Sequence, residues 1–167
     1  MYSKIITLAS LALTPISMIV IISDSAIVQA QRCPFDRWVC KIITGPGGPQ
    51  VGPIKPADLI AKLEDKIRQG QAKPIDYPVV AYFHAQVGNT SMAETRLNQG
   101  LVLAKKAGDL EGQAIATRVL GEVLVTTGRR QEAASRLTEA RNLYRKLGDQ
   151  QSVRELDQQL IRIRRPN

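Results

Sequence analysis

Histidine and cysteine are scarce in this chain: its 167 residues hold one histidine, His84, and two cysteines, Cys33 and Cys40. One imidazole and two thiols cannot furnish a histidine-rich metal site or a cysteine-only structural zinc site, so no metal and no cofactor are expected. A hydrolytic triad would have to use His84 as its base. That residue falls at a packing position of a helical pattern, and the acidic pair Glu64 and Asp65 lies on the polar face of another helix, with nothing there to raise a carboxyl pKa. No catalytic residue is assigned, and an enzyme is not expected. Aromatics make up only 4% of the chain, with one tryptophan, too little for an aromatic-rich β sandwich. The length excludes a large multi-domain enzyme and suits one modest domain.

Basic residues are in excess, 23 Lys and Arg against 15 Asp and Glu, a formal net charge of +8. The excess gathers late, at Arg129, Arg130, Arg136, Arg141, Arg145, Lys146, Arg154, Arg162, Arg164 and Arg165. A nucleic-acid surface wants such a patch interleaved with stacking aromatics, and Tyr144 is the lone aromatic beyond Gly128, so nucleic acid is not an expected partner. Two readings stay open: a solvated helix face whose arginine stems cover apolar surface, or a contact with an anionic membrane or an acidic protein.

The first 30 residues pattern as a signal peptide. Lys4 lies in a short N-terminal region, an apolar run spans 5–22, and Val28 and Ala30 occupy the −3 and −1 positions a signal peptidase requires, which places cleavage after Ala30. The competing reading is an uncleaved anchor, but Ser10, Thr14, Pro15 and Ser17 interrupt the run. Export to a periplasm or an equivalent lumen makes a disulfide the simplest fate of Cys33 and Cys40, closing a small loop between them within an N-terminal segment over 31–43. That loop carries Phe35 and Trp38, either as an exposed apolar patch or as a plug packed on the helices. Residues 44–56 contain four glycines and four prolines, which no helix can run through, and form a linker.

From 57 to 167 the period becomes helical. Leu59, Ile60, Leu63 and Ile67 share one face of a helix over 57–69, ended by Gly70. Beyond Tyr77 the chain repeats itself at an offset of 40: Gly88 falls on Gly128, Ala93 on Ala133, Leu97 on Leu137, Leu103 on Leu143, and Gly108-Asp109 on Gly148-Asp149. Each unit is a helix hairpin, 77–87 with 92–106 and 110–127 with 130–147, and a last helix over 150–164 supplies half of a third unit. The Gly-Asp pairs combine a left-handed helix stop with an N-cap for the next helix, and Ser91 with Glu94 suggests a capping box. The fold class is therefore all-α, a short solenoid of about two and a half helical hairpins.

These residues resemble the tetratricopeptide repeats, specifically the variant with a period near 40 and Leu-Gly-Asp between units. Leu120-Gly121 stand where that signature has its first-helix leucine and glycine, and Ala133, Leu137 and Ala140 where it has its small, bulky and small positions; Val80-Ala81, Ala93, Leu97 and Gly100 fill the same places in the first unit. His84 and Leu124 replace the usual tyrosine, Thr117 replaces the early aromatic, and no proline closes either unit.

The resemblance implies a concave surface lined by the first helix of each hairpin, presenting Tyr82, Ala85 and Gln86, then Ile115, Arg118, Glu122, Val125 and Thr126. The expected function is a protein-interaction module that takes a peptide or a partner helix, with Tyr82, Gln86, Arg118 and Glu122 as the binding residues. Arg118 and Glu122, four apart, also satisfy the simpler reading of a pair with each other on a solvated face. A self-associating structural protein, and a peripheral binder of anionic membrane through the arginine-rich end, are the alternatives.

Overall fold

The chain divides into two units, Met1–Pro53 and Ile54–Asn167. The computed structural model describes residues 55–165 of the second unit and, in the first, Val39 alone. The signal peptide, the Cys33 to Cys40 disulfide, the Phe35 to Trp38 loop and the linker up to residue 54 lie outside the described residues.

Among those residues the second unit is all-α, a run of helical hairpins: α1 Pro56–Arg68, α2 Asp76–Gln86, α3 Thr90–Ala107, α4 Leu110–Thr126, α5 Arg130–Lys146 and α6 Gln150–Arg164. Pro56 opens α1 in its first turn, where a missing N–H costs nothing because it would have no intrahelical partner. Every turn then closes the same way. Gly70, Gly88, Gly108, Gly128 and Gly148 all have φ between 66° and 83°. The N–H of the residue after each glycine donates to a carbonyl five residues back, as from Asp109 to Ala104 at 2.9 Å and from Asp149 to Tyr144 at 3.0 Å. A residue bearing a Cβ pays for the left-handed conformation there, so glycine at 108 and 148 stops one helix cleanly and leaves the next position to cap its successor.

Asp109 and Asp149 do so: their Oδ1 atoms accept from the N–H groups of Gly112 at 2.8 Å and Ser152 at 3.0 Å. At the start of α3 the cap is Asn89, which accepts from Met92 N–H at 3.3 Å. The capping box expected of Ser91 and Glu94 is replaced by this earlier cap; Ser91 is inside the helix, its carbonyl accepting from Thr95 Oγ1, and Glu94 reaches instead to Arg129 on α5.

Burial follows the repeat. Residues 79–84 on α2 are buried without a break, 119–124 on α4 are buried apart from Glu122, and Ala93 with Ala133 and Leu97 with Leu137 are buried as pairs. Helix α2 is therefore enclosed nearly all round, and α4 on every side but the one that carries Arg118, Glu122 and Val125. Helix α4 packs against α3 and α5 and touches α2, α1 packs on α2, and α6 packs on α5. Small residues set the spacing. A Cβ on Gly121 would lie 2.6 Å from Leu137 Cγ and 3.3 Å from its backbone nitrogen, so α4 and α5 meet almost backbone to backbone. In the first hairpin Gly100 plays this part against Tyr77, whose Cβ would be 2.6 Å from the added atom.

One core position is polar without return. Thr117 is 1% exposed, and its hydroxyl has no hydrogen-bond partner among the described residues. Replacing it by the near-isosteric valine removes the desolvation cost at unchanged volume, and Thr117→Val is expected to raise stability by about 1 kcal/mol in a urea titration. A destabilised variant would mean that the hydroxyl finds a partner.

Candidate functional site

The residues singled out from sequence sit on α2 and α4. Tyr82 is only 9% exposed, and its ring meets Phe83 edge to face with centroids 5.4 Å apart, so its apolar body belongs to the core. Gln86, the last residue of α2, is exposed. On α4, Arg118 Nε donates to Glu122 Oε1 at 2.9 Å, one helical turn on, so the intrahelical pair forms. It is not a solvated pair: the two side chains are 12% and 21% exposed. Arg118 also reaches off its helix, a terminal nitrogen donating to Glu155 Oε2 on α6 at 3.2 Å.

Burial by itself would make the guanidinium easier to deprotonate. Glu122 and Glu155 outweigh it, together with the nearby Tyr144 hydroxyl, and hold Arg118 well above the ordinary arginine range. The same burial drives the Tyr144 phenol well above the usual tyrosine value. The structure thus joins Arg118 and Glu122 and adds Glu155 and Tyr144 to them. Glu155 is 37 positions from Arg118, beyond the reach of any helical spacing rule. Its one sequence signal was membership of the half unit that follows the second hairpin.

A second charged cluster ties α1 to the hairpin behind it. Glu64 on α1 accepts from Arg96 on α3 through both oxygens, at 2.9 Å from Nε and 2.5 Å from a terminal nitrogen. His84 Nε2 on α2 lies 3.0 Å from Glu64 Oε1, and because an ionised carboxylate only accepts, that nitrogen carries the hydrogen. His84 is 8% exposed, so the histidine holds helices together. Partial burial pushes the Glu64 carboxyl up, but the Arg96 and His84 bonds outweigh it and leave it below its ordinary 4.5. A lowered folded-state value means the cluster contributes fully above pH 4.5 and loses its contribution as the pH falls through the lowered value. Glu64→Gln is accordingly expected to cost about 2 kcal/mol at pH 7 and to flatten the fall in stability below that pH. Urea midpoints for both proteins between pH 7 and pH 3 check this; parallel acid profiles would contradict it.

The arginine-rich end is partly neutralised from within. Arg129 bridges Glu94 and Glu132, Arg136 pairs with Glu139, and Arg141 reaches Asp157 on α6 at 2.8 Å. Arg130, Arg145, Lys146, Arg154, Arg162, Arg164 and Arg165 are exposed and form no ion pair among the described residues. Within the same residues no cluster of three His, Cys, Asp or Glu side chains is placed to hold a metal ion, and no helix is long and apolar enough to cross a membrane.

Compared with protein-family models, with curated proteins and with solved structures, the chain has no match.

Proposed function

We propose that the chain is an exported protein-interaction module of the tetratricopeptide type, which takes a peptide or a partner helix on the side formed by its first-position helices, α2 and α4. The observation that carries this reading is the exact offset of 40 residues between two hairpins with the same capping glycines and the same buried alanine and leucine positions, followed by half a unit. Each such hairpin buries its apolar faces only with neighbours, and stacked hairpins leave an extended side for a partner. Gln86, Val125 and Thr126 supply accessible contacts there, Arg118 and Glu122 a half-buried charged floor, and Tyr82 the packing beneath. A photo-crosslinking amino acid placed at 86 or at 125 in the full chain is expected to trap one and the same protein from the native exported fraction. The same probe at Ser135, exposed on α5, is expected to trap none. Equal trapping from all three positions overturns the proposal.

The run of exposed, unpaired cations on α5 and α6 favours one further reading, peripheral attachment to anionic lipid, to which each basic residue near the surface contributes about 1 kcal/mol. It predicts sedimentation with phosphatidylglycerol vesicles that fades as salt shortens the electrostatic range. Arg162→Glu/Arg164→Glu is expected to abolish it.

A further inference from the structure

The first hairpin carries a groove apart from Tyr82, Gln86, Arg118 and Glu122. It holds about 500 Å³ and is lined by Ile67 at the end of α1, Tyr77 at the start of α2, and Asn98, Gln99, Val102 and Leu103 on α3. Val102 is 53% exposed, a high value for a branched aliphatic on a helix whose neighbours are well packed. The lining is apolar at its floor, with two amides along one side.

The charges around the groove are unbalanced. Every acid along this end of α1, in the turn after it and along α3 is already engaged. Glu64 accepts from Arg96 and His84, Asp65 pairs with Arg68, Asp76 accepts from the Lys73 backbone N–H and faces Lys66, and Glu94 pairs with Arg129. Lys105 and Lys106 are exposed, and neither forms an ion pair among the described residues. They follow Val102 by three and four positions, so both continue the stripe of α3 that lines the groove. They also stand in its last turn, where the unsatisfied carbonyls of the helix end favour cations.

We propose that this groove docks an acidic peptide segment, seating one aliphatic side chain between Ile67, Tyr77, Val102 and Leu103 while neighbouring carboxylates meet Lys105 and Lys106. The apolar floor supplies the anchor, Asn98 and Gln99 bond the peptide backbone, and the two lysines select against basic and neutral sequences. This site is independent of the α2 and α4 side, so either can fail without the other.

Panning a random twelve-residue display library on the full chain tests it. Enriched peptides are expected to join an aliphatic residue to at least two Asp or Glu. Their synthetic copies, followed by fluorescence anisotropy, should bind Lys105→Glu/Lys106→Glu at least tenfold more weakly and Val102→Asp comparably so. All three substituted residues are exposed, so unchanged circular dichroism and melting are expected to show both variants folded. Val125→Glu, on α4, should leave the affinity unchanged. The proposal is overturned if no acidic class is enriched, if the lysine variant binds equally well, or if Val125→Glu is the change that abolishes binding. Vesicles of phosphatidylglycerol that bind through Lys105 and Lys106 while no peptide does would assign the patch to a membrane and overturn it as well.

Discussion

Gly121→Val is expected to destabilise the helical unit by about 3 kcal/mol, at the upper end of the cost of overpacking a core. The first atom of any side chain there would stand 2.6 Å from both Cγ and Cδ2 of Leu137, and 3.3 Å from the Leu137 backbone nitrogen. The end of a leucine can rotate away from a newcomer, but its Cγ is one bond from the Cβ that α5 holds in place, and the backbone nitrogen cannot move without the helix. Leu137 is itself fully buried, so no empty space receives it. Leu137→Ala alone is expected to cost about 3 kcal/mol through the cavity it opens. Combined, the two changes should cost well under their sum, because the valine enters the volume the leucine vacated. Urea titrations of the four proteins give the cycle. Simple additivity would show that the contact between α4 and α5 is looser than the distances state.

Arg118→Ala is expected to cost about 3 kcal/mol as well, by a different route. Its side chain is 12% exposed, beside Glu122 at 21% and Glu155 at 35%. Removing the cation leaves two partly buried carboxylates close together, and the penalty is mostly theirs. A sharper test follows from that origin. Replacing all three residues by leucine should restore most of the loss, since a half-buried ion network offers little over apolar packing of similar volume. A triple variant as unstable as Arg118→Ala would show instead that the guanidinium bonds themselves join α4 to α6. Hydrogen exchange on α6 separates the cases further, because loss of the α4 to α6 bond should expose the amides of 153–160 before those of α4.

The helix boundaries were almost wholly legible in the chain. Gly108-Asp109 and Gly148-Asp149 act through local geometry, a backbone conformation that favours glycine followed by a short carboxylate at the right distance from an amide two or three residues on. Such signals need no partner from elsewhere, and α4, α5 and α6 begin where they were read from sequence. Ser91 misled because Asn89, two positions earlier, caps the helix by accepting from Met92 N–H and so leaves Ser91 inside the first turn. Many buried positions were legible too, since the repeat marks twice over places that must stay apolar or small, but Tyr82 and Ile115, expected on the concave surface, are buried.

The charged partnerships were not. Glu64 stands on the polar face of α1 by its period, yet the structure turns it onto Arg96 and His84, which are 32 and 20 positions away. Arg118 was visible as one half of a pair with Glu122, while Glu155 and Tyr144 were not. The difference is physical. Caps, turns and apolar periods are settled by interactions within about five residues, and a repeat multiplies them, so sequence alone determined an all-helical chain of hairpins and most of its core. Which polar side chains lose their water depends on how one helix crosses another, and the ångström-scale spacing at Gly121 and Gly100 sets those crossings. Only the tertiary structure could therefore decide that Tyr82 is packed, that Arg118 carries a network across two helices, and that Val102 and two lysines remain on an open groove.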